Sequence, residues 1–271
     1  AVLFLLPGRL RKPPQSSPGD PLPAAYLAGC GALFVAYTAL LYLAVGHAAN
    51  RQQLLEVALI NYLWPTLTVL LSVFVLQLRF SIWLLPAAFI TLTGLFLVVT
   101  QGSTFSISTF RHNLSSSPLP YGLAGIAAVS WAAYSVLTRK WVPNAKSGAV
   151  GIFLLSTAAV LWPLAWASQE APQWTPRATL ELLAQGASTA AAYALWDKAM
   201  RLGNLTLVTT ASYLTPLLST TITCAYLHVT PSRRLLYGAA LLVAGSLISY
   251  WSVRTPRSGL KPDNGPELPE S

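Results

Sequence analysis

The chain has 271 residues, of which 54% are apolar and only 9% are Asp, Glu, Lys or Arg. A soluble domain carries roughly 25% charged residues, so this composition excludes an ordinary soluble enzyme. The net charge of +9 would suggest nucleic-acid binding in a soluble chain, but the basic residues here fall almost entirely between apolar runs. Cys30 and Cys224 lie inside apolar runs, so the sequence predicts buried thiols and no disulfide framework.

Long apolar runs separated by short polar connections predict an all-α polytopic membrane protein, because about 20 helical residues cross a hydrocarbon core of roughly 30 Å. Residues 1–6 form an apolar stub too short to cross alone, which we interpret as the end of a transmembrane helix that starts upstream. Complete crossings follow at 24–46, 55–77, 82–100, 120–138, 148–168, 178–200, 204–228 and 234–252. The chain therefore has about nine predicted segments, the first of them partial.

Basic residues are distributed unevenly between the two sides of the predicted bundle. Twelve of the 17 Lys and Arg residues fall in connections on one side, and five fall on the other. The positive-inside rule places the side with twelve in the cytoplasm, so we expect a cytoplasmic C-terminus. Residues 255–271 are rich in Pro, Gly and charge, and we predict that this tail is disordered.

The sequence contains an internal repeat. Residues 42–94 align without a gap with residues 193–245 at an offset of 151, with identities at fourteen of fifty-three positions. Five crossings separate the two copies, so the second copy is predicted to be inverted, as in many secondary transporters. We therefore predict two inverted five-helix repeats, 1–112 and 113–254, in a ten-helix protein whose first helix and most of the second lie upstream.

Each copy has a proline at the middle of an apolar run, Pro65 in the first and Pro216 in the second. A proline inside a membrane helix breaks the hydrogen-bond ladder, which is tolerated where the break faces protein or a watery cavity. Residues with helical spacing form a polar stripe on each span, namely Asn61, Pro65, Thr68 and Ser72, and Ser212, Pro216, Ser219 and Thr223. The stripes predict cavity walls and hinges, although small hydroxyl residues also serve helix packing.

Aromatic residues at membrane depth indicate a preference for a substrate with a ring or an ammonium group. An interfacial aromatic belt explains Trp83, Trp141, Trp174 and Trp251, but it does not explain Trp64 or Trp131. The candidate substrate-binding residues are Tyr42, Asn61, Tyr62, Trp64, Thr68, Trp131, Tyr134, Tyr193, Trp196, Ser212 and Tyr213, with Pro65 and Pro216 as hinges.

Acidic residues are absent from the predicted bilayer centre. Glu56, Glu181 and Asp197 all lie within a turn or two of a predicted helix end, and Asp197 is placed to neutralise Lys198 or Arg201. The chain has no paired aspartates, no serine with a base and no His-Glu-x-x-His motif, so we predict neither an enzyme nor a cofactor or metal site. A membrane scaffold, in which the polar stripes only join helices, remains an alternative.

Three segments together resemble the YddG-type aromatic amino acid exporters of the drug/metabolite transporter superfamily. They are 51–65 with its Asn-Tyr-Leu-Trp-Pro run, 130–140 with Ser-Trp-Ala-Ala-Tyr and Arg-Lys, and 211–216 with Ala-Ser-Tyr-Leu-Thr-Pro. The resemblance implies ten helices in two inverted repeats in the bacterial inner membrane. It also implies export of phenylalanine, tyrosine and tryptophan through a central cavity onto which Tyr62, Trp64, Pro65, Trp131 and Pro216 map.

The sequence thus predicts a secondary transporter that exports aromatic amino acids, and related amino acids or amphiphilic metabolites, by alternating access. Its expected partners are the small-molecule substrate and the lipid bilayer, not nucleic acid. The main alternative is another solute of the same superfamily, an organic cation or a nucleotide sugar. A nucleotide sugar would require fixed positive charges deep in the cavity, whereas all seventeen Lys and Arg residues lie at predicted helix ends or in loops.

Overall fold

The computed structural model describes residues 21–100, 106–167, 174–226 and 232–254, and within these ranges the chain is almost entirely helical. A π-helical turn, Tyr26–Cys30, leads into the first α-helix. The α-helices are α1 (Gly31–Gly46), α2 (Arg51–Asn61), α3 (Trp64–Val75), α4 (Leu84–Val99), α5 (Ile107–Ser116), α6 (Leu119–Trp141), α7 (Val150–Ala167), α8 (Pro176–Leu202), α9 (Leu205–Ala211), α10 (Leu214–Tyr226) and α11 (Arg233–Ser252). The stub at 1–6 and the tail at 255–271 lie outside the described residues.

Several helical segments are long and apolar enough to cross a membrane. Within the described ranges these are Tyr26–Gly46, Arg51–Val75, Leu119–Trp141, Val150–Ala167 and Arg233–Ser252, and α4 is apolar but shorter. Length and composition therefore define an all-α polytopic membrane protein, as the sequence predicts. Each predicted complete crossing overlaps one helix or two consecutive helices. Cys30 and Cys224 are buried, and neither is in a disulfide, as predicted.

Side-chain caps set the start of several helices. The Asn50 side chain accepts a hydrogen bond from the backbone N–H of Gln53 at 2.9 Å, and the Gln53 side chain accepts one from the Ala49 N–H at 2.7 Å. The caps of α8, α9 and α11 are Thr175, Asn204 and Ser232. Each cap satisfies a backbone donor that the first helical turn leaves without a partner, so it fixes where the helix begins.

Both predicted helix breaks are present. A two-residue turn, 62–63, separates α2 from α3, and Pro65 is the second residue of α3. A matching turn, 212–213, separates α9 from α10, and Pro216 is the third residue of α10. Proline fits the first turn of a helix because its missing N–H would have no intrahelical partner there. Each proline therefore divides its span into two helices rather than kinking a single one.

α4 and α11 cross at very close range. A Cβ atom at Gly94 would lie 2.7 Å from the backbone nitrogen of Leu242, and one at Gly245 would lie 2.7 Å from the backbone nitrogen of Thr91. Adding the offset of 151 to 94 and 91 gives 245 and 242, so the offset exchanges these two contacts. Reciprocal contacts of this kind are those of two elements related by a two-fold axis.

A two-stranded pairing extends this crossing. β1 (Arg79–Phe80) precedes α4, β2 (Val253–Arg254) follows α11, and the two strands pair antiparallel. The backbone N–H of Ser81 also donates to the carbonyl oxygen of Ser252 at 2.8 Å. The start of α4 is therefore joined to the end of α11 by backbone hydrogen bonds.

α6 lies at the centre of the bundle. It packs against α1, α2, α3 and α8, and most of its small residues and aromatic residues are buried. Ala124, Ala127, Ala128 and Ala132 are each at most 1% exposed, which lets neighbouring helices approach this face. α6 therefore holds Trp131 and Tyr134 in the interior of the bundle.

Candidate functional site

Aromatic side chains from α1, α3, α6 and α8 pack together at the centre of these helices. Their members form the aromatic cluster, which consists of Phe34, Tyr37, Trp64, Trp131, Tyr134, Tyr193 and Trp196. The ring of Trp131 lies 4.5 Å from that of Tyr37 and 5.4 Å from that of Tyr193, centroid to centroid. Aromatic pairs attract one another at such distances. All the aromatic residues of α3, α6 and α8 that the sequence predicts to bind substrate are thus in one cluster.

Trp64 stands edge-on to two other tryptophans. Its ring makes an angle of 81° with Trp131 at 6.2 Å and of 89° with Trp196 at 5.1 Å. The indole N–H of Trp196 donates to Ser135 Oγ at 3.1 Å, and the Ser135 hydroxyl donates to the backbone carbonyl of Trp131 at 2.8 Å. Because a packed indole needs an acceptor for its N–H, Ser135 fixes the orientation of Trp196.

A cavity of about 290 Å³ adjoins the aromatic cluster, between α1, α2 and α8. It is lined by Thr38, Leu41, Tyr42, Val45, Val57, Ala58, Asn61, Tyr62 and Tyr193, none of which is charged. Tyr193 belongs to both the lining and the cluster, so the two features share a wall. The volume is near the lower end of the range for small-molecule sites, roughly 300 to 1,000 Å³.

Asn61 supplies the side-chain amide of this cavity. It is the last residue of α2 and is only 9% exposed. Its side-chain oxygen, Oδ1, has no hydrogen-bond partner among the described residues. Most buried polar atoms in proteins are hydrogen-bonded, so this oxygen is a functional candidate.

A hydrogen bond joins the two broken spans. The Thr66 hydroxyl, on α3, and the Tyr213 hydroxyl, in the turn between α9 and α10, lie 2.7 Å apart. Tyr213 is 3% exposed, and Tyr62 packs against the same apolar cluster as Tyr213. The two breaks are therefore connected through buried side chains, although Tyr213 does not line the cavity.

Four further predicted residues shape the breaks and do not line this cavity. The Thr68 hydroxyl donates to the carbonyl oxygen four residues earlier at 2.7 Å, and the Ser212 hydroxyl donates to the carbonyl oxygen three residues earlier at 2.6 Å. Both Pro65 and Pro216 are buried within the protein. These residues thus contribute to the local backbone conformation where each span divides.

Tyr134 is hydrogen-bonded to a buried ion pair and also belongs to the aromatic cluster. Its hydroxyl donates to Asp197 Oδ1 at 3.1 Å, and the Tyr26 hydroxyl donates to the same oxygen at 3.0 Å. Arg201 Nε donates to the other oxygen, Oδ2, at 2.7 Å. The side chains of Asp197 and Arg201 are only 2% and 5% exposed. Arg201 therefore neutralises Asp197, one of the two predicted partners.

Arg201 also connects the end of α8 to α6 and to the connection between α6 and α7. The Arg201 guanidinium also donates to the backbone carbonyl of Ala145, in the connection between α6 and α7. Arg139, near the end of α6, donates through Nη1 to the backbone carbonyl of Arg201 at 2.7 Å. The ion pair thus fixes α8 against α6 and the connection that follows it.

Sequence reasoning missed α5 and a second buried carboxylate. Glu56 is 1% exposed and accepts hydrogen bonds from Gln52 Nε2 at 3.2 Å, from Asn113 Nδ2 at 3.2 Å and from the Tyr121 hydroxyl. Asn113 lies on α5, within a stretch predicted to be a connection. The signal that could have revealed this helix is the spacing of its apolar residues, Ile107, Phe110 and Leu114.

Comparisons with known proteins define the class. The model of the EamA-like transporter family matches residues 119–251. The chain is 30% identical over 234 residues to the "Aromatic amino acid exporter YddG" of Escherichia coli (strain K12), covering 86% of this chain and 79% of the relative. It is 31% identical over 233 residues to the protein of the same name from Salmonella typhimurium (strain 14028s / SGSC 2262), with the same two coverages, 86% and 79%.

The chain is also similar to a protein whose crystal structure has been solved. It covers 83% of this chain and 75% of its own, with 28% sequence identity and a TM-score of 0.66. The chain belongs to the EamA-like transporter family, a class of multi-pass membrane transport proteins. Within that family its similarity is to the YddG-type proteins of Escherichia coli and Salmonella typhimurium.

Proposed function

We propose that the protein exports phenylalanine, tyrosine and tryptophan, and related amphiphilic metabolites, across the bacterial inner membrane. The observation that carries this proposal is the uncharged cavity of about 290 Å³ that adjoins the aromatic cluster. Tyr42, Tyr62 and Tyr193 line it, and each tyrosine carries both an aromatic ring and a hydroxyl group. A flat substrate ring packs against the aromatic faces, while the hydroxyls pair with the polar end of an amino acid.

Transport proceeds by alternating access between two inverted five-helix repeats, with Pro65 and Pro216 as hinges. Two observations support this mechanism: both spans divide at equivalent buried prolines, and the α4–α11 contacts exchange under the repeat offset. The distribution of Lys and Arg supports a cytoplasmic C-terminus. Binding residues from the broken spans then face each side of the membrane in turn.

Charge distinguishes this substrate from the main rivals. A nucleotide sugar carries phosphates, which proteins bind with Lys or Arg, and neither is among the described residues that line the cavity. A quaternary organic cation such as choline would be favoured by a carboxylate in the lining, and the described residues that line the cavity include none. A zwitterionic amino acid has no net charge and suits these uncharged walls.

Reconstitution in liposomes tests the proposal. Proteoliposomes should take up labelled phenylalanine by a saturable process that unlabelled tryptophan and tyrosine inhibit, and that choline and uridine diphosphate glucose do not. The same flux in protein-free liposomes, or inhibition by choline but not by tryptophan, would show that the protein does not carry aromatic amino acids.

A further inference from the structure

Asn61, a residue that lines the cavity, carries a buried hydrogen-bond acceptor with no partner among the described residues. Asn61 lines the cavity, is 91% buried and has no hydrogen bond at Oδ1 within the described part of the chain. An acceptor removed from water and left without a donor is costly for the folded protein. A donor brought by a ligand removes that cost, so this oxygen favours ligands that carry an N–H group.

The other polar groups of the lining are all hydroxyls. They belong to Thr38, Tyr42, Tyr62 and Tyr193. The Thr38 hydroxyl donates to the backbone carbonyl of Phe34 at 3.0 Å, so its proton is engaged within α1. Phenolic hydroxyls donate well to a carboxylate, whereas an amide oxygen accepts but does not donate. The residues that line the cavity thus include tyrosine hydroxyls, which can donate, and the Asn61 amide oxygen, which can accept.

We infer that Asn61 Oδ1 accepts a hydrogen bond from the α-ammonium group of the substrate and so selects free amino acids over analogues that lack this group. The inference rests on the proposed function, since it assigns a role within the same cavity. A hydrogen bond from a charged donor is about twice as strong as one between neutral groups. The carboxylate of the substrate is then left to the tyrosine hydroxyls.

Phenylalanine and its two truncated analogues separate the contributions of its polar groups. 3-Phenylpropionate lacks the ammonium group and phenethylamine lacks the carboxylate, while both keep the ring. With the unaltered protein, phenylalanine should inhibit uptake of labelled phenylalanine at least tenfold more strongly than 3-phenylpropionate. Equal inhibition by the two compounds would overturn the inference without any variant having to fold.

Variants of Asn61 test the acceptor directly. Asn61→Leu removes Oδ1 with little change in volume and should weaken inhibition by phenylalanine and phenethylamine about ten- to a hundredfold, with inhibition by 3-phenylpropionate unchanged. Asn61→Asp keeps an acceptor oxygen at the position and should preserve inhibition by phenylalanine and phenethylamine. An equal loss for all three compounds in Asn61→Leu would overturn the inference.

Thr209→Val is the matched control. Thr209 is fully buried, its Oγ1 is the other buried side-chain atom without a partner in the described residues, and it does not line the cavity. This variant should leave the inhibition pattern unchanged, whereas a pattern altered as in Asn61→Leu would overturn the inference. If the unaltered protein moves no aromatic amino acid, the proposed function fails; if it moves them and only the analogue pattern is wrong, the role of Asn61 alone fails.

Testing phenylalanine and its two analogues also distinguishes the ammonium group from a second possible donor, the indole N–H of tryptophan. The indole N–H of tryptophan could reach Asn61 Oδ1, whereas the phenylalanine ring has no N–H. A loss of inhibition by tryptophan in Asn61→Leu, with inhibition by phenylalanine unchanged, would assign Oδ1 to the ring of the substrate and overturn the ammonium assignment.

Discussion

The hydroxyl oxygens of Thr66 and Tyr213 lie 2.7 Å apart, so a single buried hydrogen bond joins the two proline-broken spans. Thr66 directly follows Pro65, and Tyr213 lies in the turn that precedes α10. A contact at this position couples the backbone geometry of one break to that of the other. It therefore offers a direct way to test whether the two breaks act together.

Loss of this hydrogen bond should lower stability. Thr66→Val and Tyr213→Phe each remove one partner, so each should reduce the free energy of unfolding by about 1 to 3 kcal/mol. The double variant should lose less than the sum, because both changes remove the same interaction. Denaturation of the purified protein in detergent measures the effect, and Tyr237→Phe, at an exposed tyrosine, is the control. Strict additivity would contradict a direct bond.

The tryptophans of the aromatic cluster should be required for transport. Trp64→Ala and Trp131→Ala should abolish phenylalanine uptake, because they remove ring faces next to the cavity. Truncation of the buried Trp131, which is 4% exposed, also costs about 3–5 kcal/mol of stability, so Trp131→Phe is the milder test and should lower uptake partially. Uptake is measured at matched protein amounts, with Trp166→Ala, at an 80% exposed residue, as the control. Unchanged uptake in both cluster positions would contradict the proposed site.

The Asp197–Arg201 ion pair should be a strong determinant of stability. Asp197→Asn leaves the buried Arg201 charge without its partner and should cost about 3 to 5 kcal/mol, whereas Asp197→Leu combined with Arg201→Met removes both charges and should recover part of that loss. The recovery should be incomplete, because the double variant leaves the hydroxyls of Tyr26 and Tyr134 without their acceptor. Thermal unfolding in detergent measures both effects. Glu181→Gln disrupts the exposed Arg177–Glu181 pair and should leave stability nearly unchanged. Similar losses in the buried and exposed variants would contradict this account.

The α4–α11 crossing should not tolerate a methyl group. Gly94→Ala or Gly245→Ala places a Cβ atom 2.7 Å from backbone nitrogen on the neighbouring helix, so the helices must separate and the melting temperature should fall. Gly186→Ala, within α8, meets nothing within 4 Å and should be neutral or stabilising by about 0.5–1 kcal/mol. A similar melting temperature for all three variants would mean that the close approach is unimportant.

The helical architecture could be predicted because its signals are local. Apolar run length marks each span, and a proline at mid-span marks each break, so the chain alone predicts breaks at Pro65 and Pro216, which the structure places at the turns 62–63 and 212–213. The sequence did not predict α5 as a helix, because its 10 residues are too few to cross a membrane and the residues around it are polar. The helical spacing of its apolar residues, Ile107, Phe110 and Leu114, is a weaker signal than the long apolar runs of the membrane spans.

The composition of the site was harder to predict because it depends on which helices meet. Tyr42, Asn61, Tyr62 and Tyr193 line the cavity as expected candidates, but Thr38 was missed although it lies one helical turn before Tyr42. Tyr134 was predicted from its face on α6, whereas its hydroxyl donates to a carboxylate on α8 that is distant in sequence. Helical periodicity fixes the face of a residue but not the partner that this face meets.

The close crossing of α4 and α11 makes the same contact twice, because its glycines exchange roles under the offset of 151. In a protein that opens alternately to either side, such a junction gives no energetic preference for inward or outward opening. That preference has to come from contacts without a counterpart. The Asp197–Arg201 pair is one, since the positions 151 residues earlier are Gly46 and Asn50, so under the proposed mechanism this pair would favour one opening direction over the other.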